Sequence, residues 1–451
     1  MRTQRSTRSV PNTVPNTVQQ TLLGLTFIGI TFIGLTFVGS TPSVWSTPTA
    51  FAQAVPSDQS TVFAQSEKTV QPTEATHSIE PQLSVPFTSG ESGYASYRIP
   101  SILEAANGRL LAFAEGRKVN ASDTGDIDLV LRESDDGGRT WQKMRVLWDD
   151  AQNTCGNPCP VLDTTGTIHL LLTWNRGDDT ESRIISGTSH DTRRVFVTTS
   201  SDHGETWSTP REITTQVKSC DWTWYATGPG AGIRLTAGPH RGRLVIPCDH
   251  VEAKSQNMRS HVIYSDDQGV TWQLGGTAPM PGVNECEVAE LPANVTWKQT
   301  DTPTIAGTMV LNMRNYQRTT PSRQICRSDD GGATWYAQQH DDTLIEPICQ
   351  ASFRRIGDGD SREYLFSNPA SETQRERMTV RLSVDATHTW SNSRVLDPRP
   401  AAYSCLVTLR DGAFGCLYET GQKSPYETIV FAKFEREWLI MTSQKTTSAE
   451  P

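Results

Sequence analysis

Ser134-Asp-Asp-Gly-Gly-Arg-Thr-Trp141 is the first of five similar segments in the chain. The same pattern, S-x-D-x-G-x-T-W, occurs at 200–207, 265–272 and 328–335. A fifth copy at 383–390 has Thr387 where the others have glycine. Successive copies begin 66, 65, 63 and 55 residues apart. A repeat at this interval predicts stacked structural units that share one kind of turn.

The residue types of this segment are those of a tight hairpin turn. The aspartate can accept hydrogen bonds from the turn backbone, and glycine takes a positive φ without steric strain. The tryptophan supplies a large ring that can be buried between neighbouring units. The segments lack the alternating acidic ligands and the terminal glutamate of an EF-hand loop, so we assign them a structural role rather than calcium binding.

The sequence between the repeats predicts an all-β protein. From about residue 85 to 440, short apolar runs such as 168–174, 243–247 and 428–432 are separated by Gly, Pro, Asn and Asp, and no stretch has the pattern of a long amphipathic helix. Sheet units of this size must stack to bury their faces, and radial stacking gives a propeller. The intervals predict a six-bladed β-propeller of four-stranded antiparallel blades.

The N-terminal region has the features of an export signal. Arg2, Arg5 and Arg8 precede an apolar stretch at 22–38 and a small-residue site at 50–54. We expect residues 1–54 to be a signal peptide, or an uncleaved membrane anchor, since the apolar stretch is at the lower limit for spanning a bilayer. A flexible linker at 55–82, the propeller at 83–440 and a polar tail at 441–451 would follow. The body would then be secreted or periplasmic, or anchored with its catalytic domain outside.

The net charge of the chain argues against one class of function. The 451-residue chain has a formal net charge of −9 and no long basic run, which argues against nucleic-acid binding. No obligate protein partner is evident from the sequence.

All nine cysteines lie in the body, and an odd number cannot pair completely within one chain. We expect most of them to be free, with Cys155–Cys159 the most plausible local disulfide.

Tyr97-Arg98-Ile99-Pro100, followed by the repeated segments in this order, resembles the start of the sialidase (exo-α-neuraminidase) family. The resemblance covers about residues 85–435 and extends to 157–160, 228–230, 285–290 and 416–419. It implies an exo-α-sialidase that releases terminal sialic acid from glycoproteins, glycolipids or oligosaccharides without a metal or an organic cofactor.

The resemblance also implies a carboxylate clamp of three arginines. Sialic acid has a carboxylate on its anomeric carbon, and arginine offers a permanently charged planar fork for it. Arg98, Arg314 and Arg375 match the family positions. Arg377 is the alternative to Arg375, because residues two apart in a strand share a face.

Three catalytic groups follow from the same resemblance. A carboxylate nucleophile would be repelled by the carboxylate of the substrate. The family instead uses a tyrosine that is activated by a glutamate. Tyr403 and Glu285 match these two positions. Glu287 and Glu290 compete with Glu285 on residue type alone. Asp123 matches the family general acid and base, and Asp126 and Asp128 are close rivals.

Further positions have supporting roles in the resemblance. Arg117 and Asn157 match positions that contact the 4-hydroxyl of the sugar, although many relatives have aspartate at the second position. Glu419 matches a glutamate that orients the first clamp arginine. The insert Cys220-Asp-Trp-Thr-Trp-Tyr225 predicts either an aromatic lining on the leaving-group side or packing within a blade.

Two other functions are compatible with this pattern. A trans-sialidase or an intramolecular, anhydro-forming sialidase would use the same residues and differ only in its product. A non-catalytic propeller that binds glycans or proteins would have the repeats but would not need the tyrosine, the acidic residues and the three arginines in family order.

Overall fold

The computed structural model describes residues 80–298 and 300–441. The predicted signal peptide or anchor, the linker up to residue 79 and all but the first residue of the polar tail lie outside the described residues. The described part is all-β, as predicted, and its helices are one or two turns long: α1 (Glu181–Ile185), α2 (Thr214–Val217) and α3 (Arg436–Ile440).

The strands follow one another in short antiparallel runs. Their bounds are β1 (Gln82–Thr88), β2 (Ser96–Glu104), β3 (Leu110–Arg117), β4 (Ile127–Ser134), β5 (Arg145–Trp148), β6 (Thr154–Leu162), β7 (Ile168–Asn175), β8 (Arg194–Ser200), β9 (Arg211–Glu212), β10 (Trp222–Thr227), β11 (Ile233–Arg234), β12 (Leu244–Glu252), β13 (Met258–Ser265), β14 (Gln273–Thr277), β15 (Val283–Glu290), β16 (Met309–Asn315), β17 (Ser322–Ser328), β18 (Tyr336–Ile345), β19 (Ser352–Ile356), β20 (Glu363–Pro369), β21 (Glu376–Ser383), β22 (Asn392–Thr408), β23 (Phe414–Thr420) and β24 (Thr428–Phe434).

Hydrogen bonding groups these strands into four sheets. One sheet has the order β2-β3-β4-β6-β7-β8-β9, with β5 also paired to β4. A second has β10-β12-β13-β14 with β11 on β12, and a third has β15-β16-β17-β18. The fourth runs β1-β24-β23-β22-β21-β20-β19. Strand β1 pairs with β24, so the first and last described strands lie side by side.

Each repeat segment forms the same hydrogen-bonded turn. The serine hydroxyl donates to the aspartate and accepts from the N–H of the residue in the glycine position. The threonine donates both its N–H and its hydroxyl to the same aspartate. These bonds from Thr206 lower the pKa of Asp202 to about 2. The turn chemistry predicted from the sequence is therefore present in all five copies.

Two of the repeat tryptophans pack edge-on against phenylalanine rings, one of them across two sheets. Trp141 contacts Phe431 edge-on at 5.6 Å, and Trp207 contacts Phe113 in the same way at 5.8 Å. The glycine of the turn allows this close approach: a Cβ on Gly138, whose φ is +84°, would lie 2.1 Å from the Phe431 ring. The repeats thus supply both the turns and part of the apolar packing between sheets.

The expected Cys155–Cys159 disulfide is wrong. All nine cysteines are free, and all of them except Cys220 are buried. Both residues of the expected pair lie on β6, where four residues span about 13 Å, well beyond the reach of a disulfide. Cys155 packs with Leu170 and Leu172, whereas Cys159 packs with Tyr225 in a different apolar cluster.

The described residues, 80–298 and 300–441, include no helix long and apolar enough to cross a membrane.

Candidate active site

A polar cavity of about 340 Å³ gathers the predicted site residues. Eight of the nine line it: Arg98, Arg117, Asp123, Asn157, Glu285, Arg314, Arg375 and Tyr403. The ninth, Glu419, is fully buried behind the wall and contacts two of these residues. Residues that are far apart in the sequence converge because the strands of all four sheets contribute to one cavity.

Tyr403 lines the cavity between a carboxylate and a guanidinium. Its hydroxyl donates to Oε1 of Glu285 at 2.6 Å, and Nη1 of Arg314 donates to the same hydroxyl at 3.0 Å. Arg314 Nη1 also lies 2.5 Å from Oε2 of Glu285. All three side chains are buried. The phenol therefore has both a proton acceptor and a cation that can stabilise its ionised form.

Burial raises the pKa of Tyr403 well above its ordinary value, and the adjacent Glu285 carboxylate raises it further. Arg314 and Arg375 oppose this shift. The phenol is therefore neutral at neutral pH.

Glu419 connects Arg98 to Tyr403. Its Oε1 accepts from Nε of Arg98 and from the backbone N–H of Ile99, both at 2.8 Å. Its Oε2 accepts from the backbone N–H of Tyr403 at 3.1 Å. The Arg98 guanidinium also lies over the Tyr426 ring, 4.1 Å from its centroid. One buried carboxylate thus fixes the relative positions of β2 and β22.

Arg375 lines the cavity and Arg377 does not. Arg375 donates to the Tyr426 hydroxyl at 2.9 Å and to the carbonyl of Ile348 at 3.1 Å. Arg377 is exposed, and its φ is +60°. The pairing of β21 with β22 is irregular between Glu376 and Met378, so the two arginines do not share a strand face.

Asp123 lies at the entrance to the cavity, where 59% of its side chain is exposed. Its Oδ1 is 2.8 Å from Nη2 of Arg117 and 3.8 Å from Nη1 of Arg98. Although partial burial opposes ionisation, the charges of Arg117 and Arg98 lower the pKa of Asp123 below its ordinary value. The carboxyl is therefore ionised in the empty site at neutral pH.

Arg117 is held by a second buried carboxylate, that of Glu115. Nε and Nη2 of Arg117 both donate to Glu115 Oε2, at 3.1 and 2.7 Å, and Nη1 donates to the carbonyl of Ala121 at 2.5 Å. The other oxygen, Glu115 Oε1, accepts from the N–H of Asn157 at 2.9 Å. Glu115 thus fixes Arg117, and Arg117 in turn contacts the loop that carries Asp123 through the carbonyl of Ala121.

The competing acidic residues have partners elsewhere. Glu287 is buried and accepts from Ser352 Oγ and from the N–H of Phe353, and Glu290 accepts from Thr236 and Ala237. Asp126 and Asp128 lie with Asp149 around the ammonium of Lys118, at 2.8, 3.1 and 3.4 Å. None of these side chains lines the cavity.

Comparison with known proteins identifies the family. Residues 108–416 match the family model described as a BNR repeat-like domain. An exo-alpha-sialidase of Aspergillus fumigatus is 31% identical over 380 residues, covering 77% of this chain and 86% of that protein. The chain belongs to the sialidase family. A second family member, a sialidase of Micromonospora viridifaciens, is 33% identical over 368 residues, or 78% of this chain.

This sialidase-family chain spans 53% of the length of the Micromonospora protein. Among solved structures it is similar to the Hadza microbial sialidase Hz136, with a TM-score of 0.68 and 28% identity over 78% of this chain and 68% of that chain. The fold is thus that of the family.

One wall of this sialidase-family cavity was not predicted from the sequence. It contains Glu181, Arg193, Trp224, Asp249, Asn284 and Tyr316. Arg193 is buried, lies 4.0 Å from the Trp224 ring centroid, and donates to Asn157 Oδ1 and Thr173 Oγ1. Only Trp224 had a sequence signal, the aromatic insert, and the structure divides that insert: Trp224 lines the cavity, whereas Tyr225 packs in the core.

Proposed function

We propose that this protein is a retaining exo-α-sialidase that hydrolyses terminal sialic acid from glycoconjugates. The observation that carries the proposal is the hydrogen bond between Tyr403 and Glu285, inside a cavity that also contains Arg98, Arg314 and Arg375. A tyrosine with an adjacent base is the nucleophile suited to an anomeric carbon that already bears a negative charge. Family membership supports the same substrate class.

The clamp would bind the substrate through its carboxylate. Arg98 has Nε bonded to Glu419 and its guanidinium stacked on Tyr426, so its remaining donors are held in a fixed plane. Arg314 and Arg375 are likewise restrained by Tyr403 and Tyr426. Rigid, charge-assisted donors bind a carboxylate without losing much side-chain entropy.

In the first step, the Tyr403 oxygen bonds to the anomeric carbon as the bond to the leaving oxygen breaks. Glu285 takes the phenolic proton, and Asp123 gives its proton to the leaving oxygen. The free site holds Asp123 ionised, so the step requires the fraction of enzyme in which Asp123 is protonated. Charge and atoms balance, because one proton moves to Glu285 and one leaves Asp123.

In the second step, water attacks the same carbon and the bond to Tyr403 breaks. Asp123 takes a proton from the water, and Glu285 returns its proton to the phenol oxygen, so both acids regain their initial states. Two displacements at one carbon retain its configuration. Neither step requires an organic cofactor or a metal.

The sheet topology supports the further proposal of six blades. In chain order, the first four blades would be β2–β5, β6–β9, β10–β14 and β15–β18. The fifth would consist of β19–β21 and the first half of β22, and the sixth of the second half of β22 with β23, β24 and β1. The long strand β22 would pass from the fifth blade to the sixth. Strand β1 would complete the last blade and thus close the propeller.

The predicted leader supports a proposal about location, that the enzyme acts outside the cytoplasm. Export of the full chain would bring the body to sialylated glycoproteins, glycolipids or oligosaccharides. N-terminal sequencing of the protein recovered from the medium or the periplasm would test this proposal and locate any cleavage site near residue 54.

The test of the reaction is incubation of the purified protein with α-linked sialosides, with products followed by mass spectrometry and time-resolved proton NMR. We expect free sialic acid whose first-formed anomer is α. Glycosides of neutral sugars with the same leaving group are the control, and they should not react because they lack the carboxylate.

Two other outcomes would contradict the proposal. An anhydro sugar or a sialylated acceptor as the main product would favour the intramolecular or transfer reaction. Binding without turnover of any sialoside would favour a non-catalytic glycan-binding propeller.

A further inference from the structure

Asp249 is a fully buried acid in the wall of the cavity that Glu285 also lines. It lies on β12, and its Oδ2 accepts a hydrogen bond from Nδ2 of Asn284 at 2.9 Å. Asn284 immediately precedes Glu285 in the chain. Its carbonyl oxygen accepts a second bond from Oγ of Ser260, the residue opposite Asp249 in the pairing of β12 with β13. Two strands of one sheet thus hold Asn284 from both ends.

This support matters because β15 is irregular at this point. The pairing of β15 with β16 shifts between Val283 and Cys286, so Asn284 and Glu285 have no regular partners in the ladder. A segment without ladder bonds depends on side-chain contacts to fix its direction. The Glu285 carboxylate must nevertheless stay within hydrogen-bond distance of Tyr403. The bonds to Asn284 restrain the backbone of this segment, and the ion pair with Arg314 restrains the Glu285 carboxylate itself.

Asp249 has no paired cation among the residues that the structure describes. No basic group lies within ion-pair distance of it in the described ranges, 80–298 and 300–441, and its Oδ1 has no hydrogen-bond partner there. An isolated buried carboxylate is unfavourable, and such groups keep a proton instead. The titratable and charged groups that face Asp249 are Glu285 on β15, Glu181 on α1, Arg193 before β8, Arg314 on β16, Tyr316 after β16, Tyr225 on β10, Cys248 and Cys286.

The balance of these groups favours the protonated form. Burial raises the pKa of Asp249 well above its ordinary value, and the charges of Glu285 and Glu181 raise it further. Arg193 and Arg314 act in the opposite direction. Both of these arginines already have other partners, since Arg314 contacts Glu285 and Arg193 contacts Asn157 and Thr173.

We propose that Asp249 is a positioning residue that, in its uncharged form, fixes Asn284 and so directs Glu285 toward Tyr403. This inference rests on the proposed function, because Glu285 is the base in that mechanism. Asp249 itself does not take part in proton transfer. Its role requires the shape and hydrogen bonding of a carboxyl group, and does not require a negative charge.

The test compares wild type with Asp249→Ala and Asp249→Asn. Alanine removes the bond to Asn284, so we expect kcat on a fluorogenic sialoside to fall by about tenfold or more with KM changed by less than about threefold. Asparagine keeps an oxygen for Asn284 and has no charge, so it should restore kcat to within about threefold of wild type. A purely structural role would leave kcat unchanged in all folded variants.

The pH dependence of stability is a second readout that does not require activity. When folding raises the pKa of an acid such as Asp249, the folded protein has its full stability below the pKa of the unfolded chain. It loses part of that stability as the pH rises toward the pKa of the folded state. Asparagine does not titrate, so the melting temperature of Asp249→Asn should exceed that of wild type by about 2 °C or more at pH 7.5, with a smaller difference at pH 4.

The outcomes separate this inference from the proposed function. If Asp249→Asn is as impaired as Asp249→Ala, or if its melting temperature is lower than that of wild type at pH 7.5, the uncharged positioning role is wrong. Wild-type kcat in a folded Asp249→Ala variant would also overturn it. If alanine prevents folding, the asparagine variant decides by both readouts. A wild-type protein that cleaves no sialoside would instead overturn the proposed function.

Discussion

Glu285 and Arg314 form a buried ion pair, with 2.5 Å between Oε2 and Nη1, and both side chains contact the hydroxyl of Tyr403. The pair keeps opposite charges beside one phenol in a site largely shielded from water. Electrostatic interactions are stronger there than at the surface. In the proposed mechanism, the same pair would accept the phenolic proton and stabilise the negative charge that develops on the oxygen.

Replacing Tyr403 with phenylalanine should abolish most turnover and leave the fold intact. The variant keeps the ring and its packing but has no nucleophilic oxygen, so we expect kcat to fall by about 10³-fold or more. Turnover of a fluorogenic sialoside and the melting temperature are the measurements. Tyr418→Phe is the matched control, because Tyr418 is also buried and its hydroxyl contacts Asp397, away from the cavity. Near-normal hydrolysis by Tyr403→Phe would reject this nucleophile.

Two arginines that are close in the sequence should have different effects on substrate binding. Arg375 lines the cavity, and Arg377 is exposed outside it. Loss of a charged hydrogen bond corresponds to about 1.5–3 kcal/mol, so Arg375→Ala should weaken an unsaturated sialic acid analogue by about 10- to 100-fold. Arg377→Ala should leave its affinity unchanged. Calorimetric titration of both variants with the analogue measures these affinities. Weaker binding by Arg377→Ala and unchanged binding by Arg375→Ala would show that Arg377 is the clamp residue.

Arg117 should control the pH dependence of the reaction through Asp123. Its charge and that of Arg98 lower the pKa of Asp123, and the first step requires the protonated acid, so kcat/KM should fall as pH rises above the acidic range. Removing a cation raises the pKa of a neighbouring carboxyl. We therefore expect Arg117→Met to move the descending limb of kcat/KM to higher pH, whatever the loss in absolute rate.

Lys118→Met is the control for this shift. Lys118 is adjacent in the sequence, but its ammonium lies among Asp126, Asp128 and Asp149 outside the cavity. Its removal should leave the limb where it is in wild type. A limb that does not move in Arg117→Met would show that Asp123 is not the group that titrates.

The parts of the fold that could be predicted from sequence are those stabilised by local contacts. In the repeat turns the bonded residues lie within four positions of one another, so their identities predict their geometry. The disulfide prediction failed for a related reason: Cys155 and Cys159 are close in sequence, but an extended strand separates them in space. Neighbours in sequence are neighbours in space only in turns and helices.

The candidate site depended on resemblance, because no local signal connects residues as distant as Arg98 and Tyr403. Arg193 and Asp249 lay outside the matched motifs, and their role in the cavity depends on how separate sheets meet. The choice between Arg375 and Arg377 also needed the structure, since the irregularity after Glu376 breaks the alternation of an ideal strand. The sequence alone thus did not show how strands that are distant in the chain pair and meet around the cavity.

The exceptional threonine of the fifth repeat should stabilise the fold through its hydroxyl. Thr387 has a φ of +68°, which is strained for a β-branched residue, and its Oγ1 accepts a hydrogen bond from Nε1 of the fully buried Trp297 at 2.9 Å. We infer that threonine is tolerated there because this bond satisfies a donor that would otherwise be buried without a partner.

Valine and serine at position 387 separate the strain from the hydrogen bond. Thr387→Val keeps the shape and the strain but leaves the indole N–H unsatisfied, so it should lower the free energy of unfolding by about 1–3 kcal/mol. Thr387→Ser keeps the hydroxyl and removes the branch, so its stability should equal or exceed that of wild type. Equilibrium denaturation in urea measures both variants. Equal stability of the two would show that the bond to Trp297 contributes nothing, and the glycine missing from this repeat would then have no explanation in the hydrogen bonding of the turn.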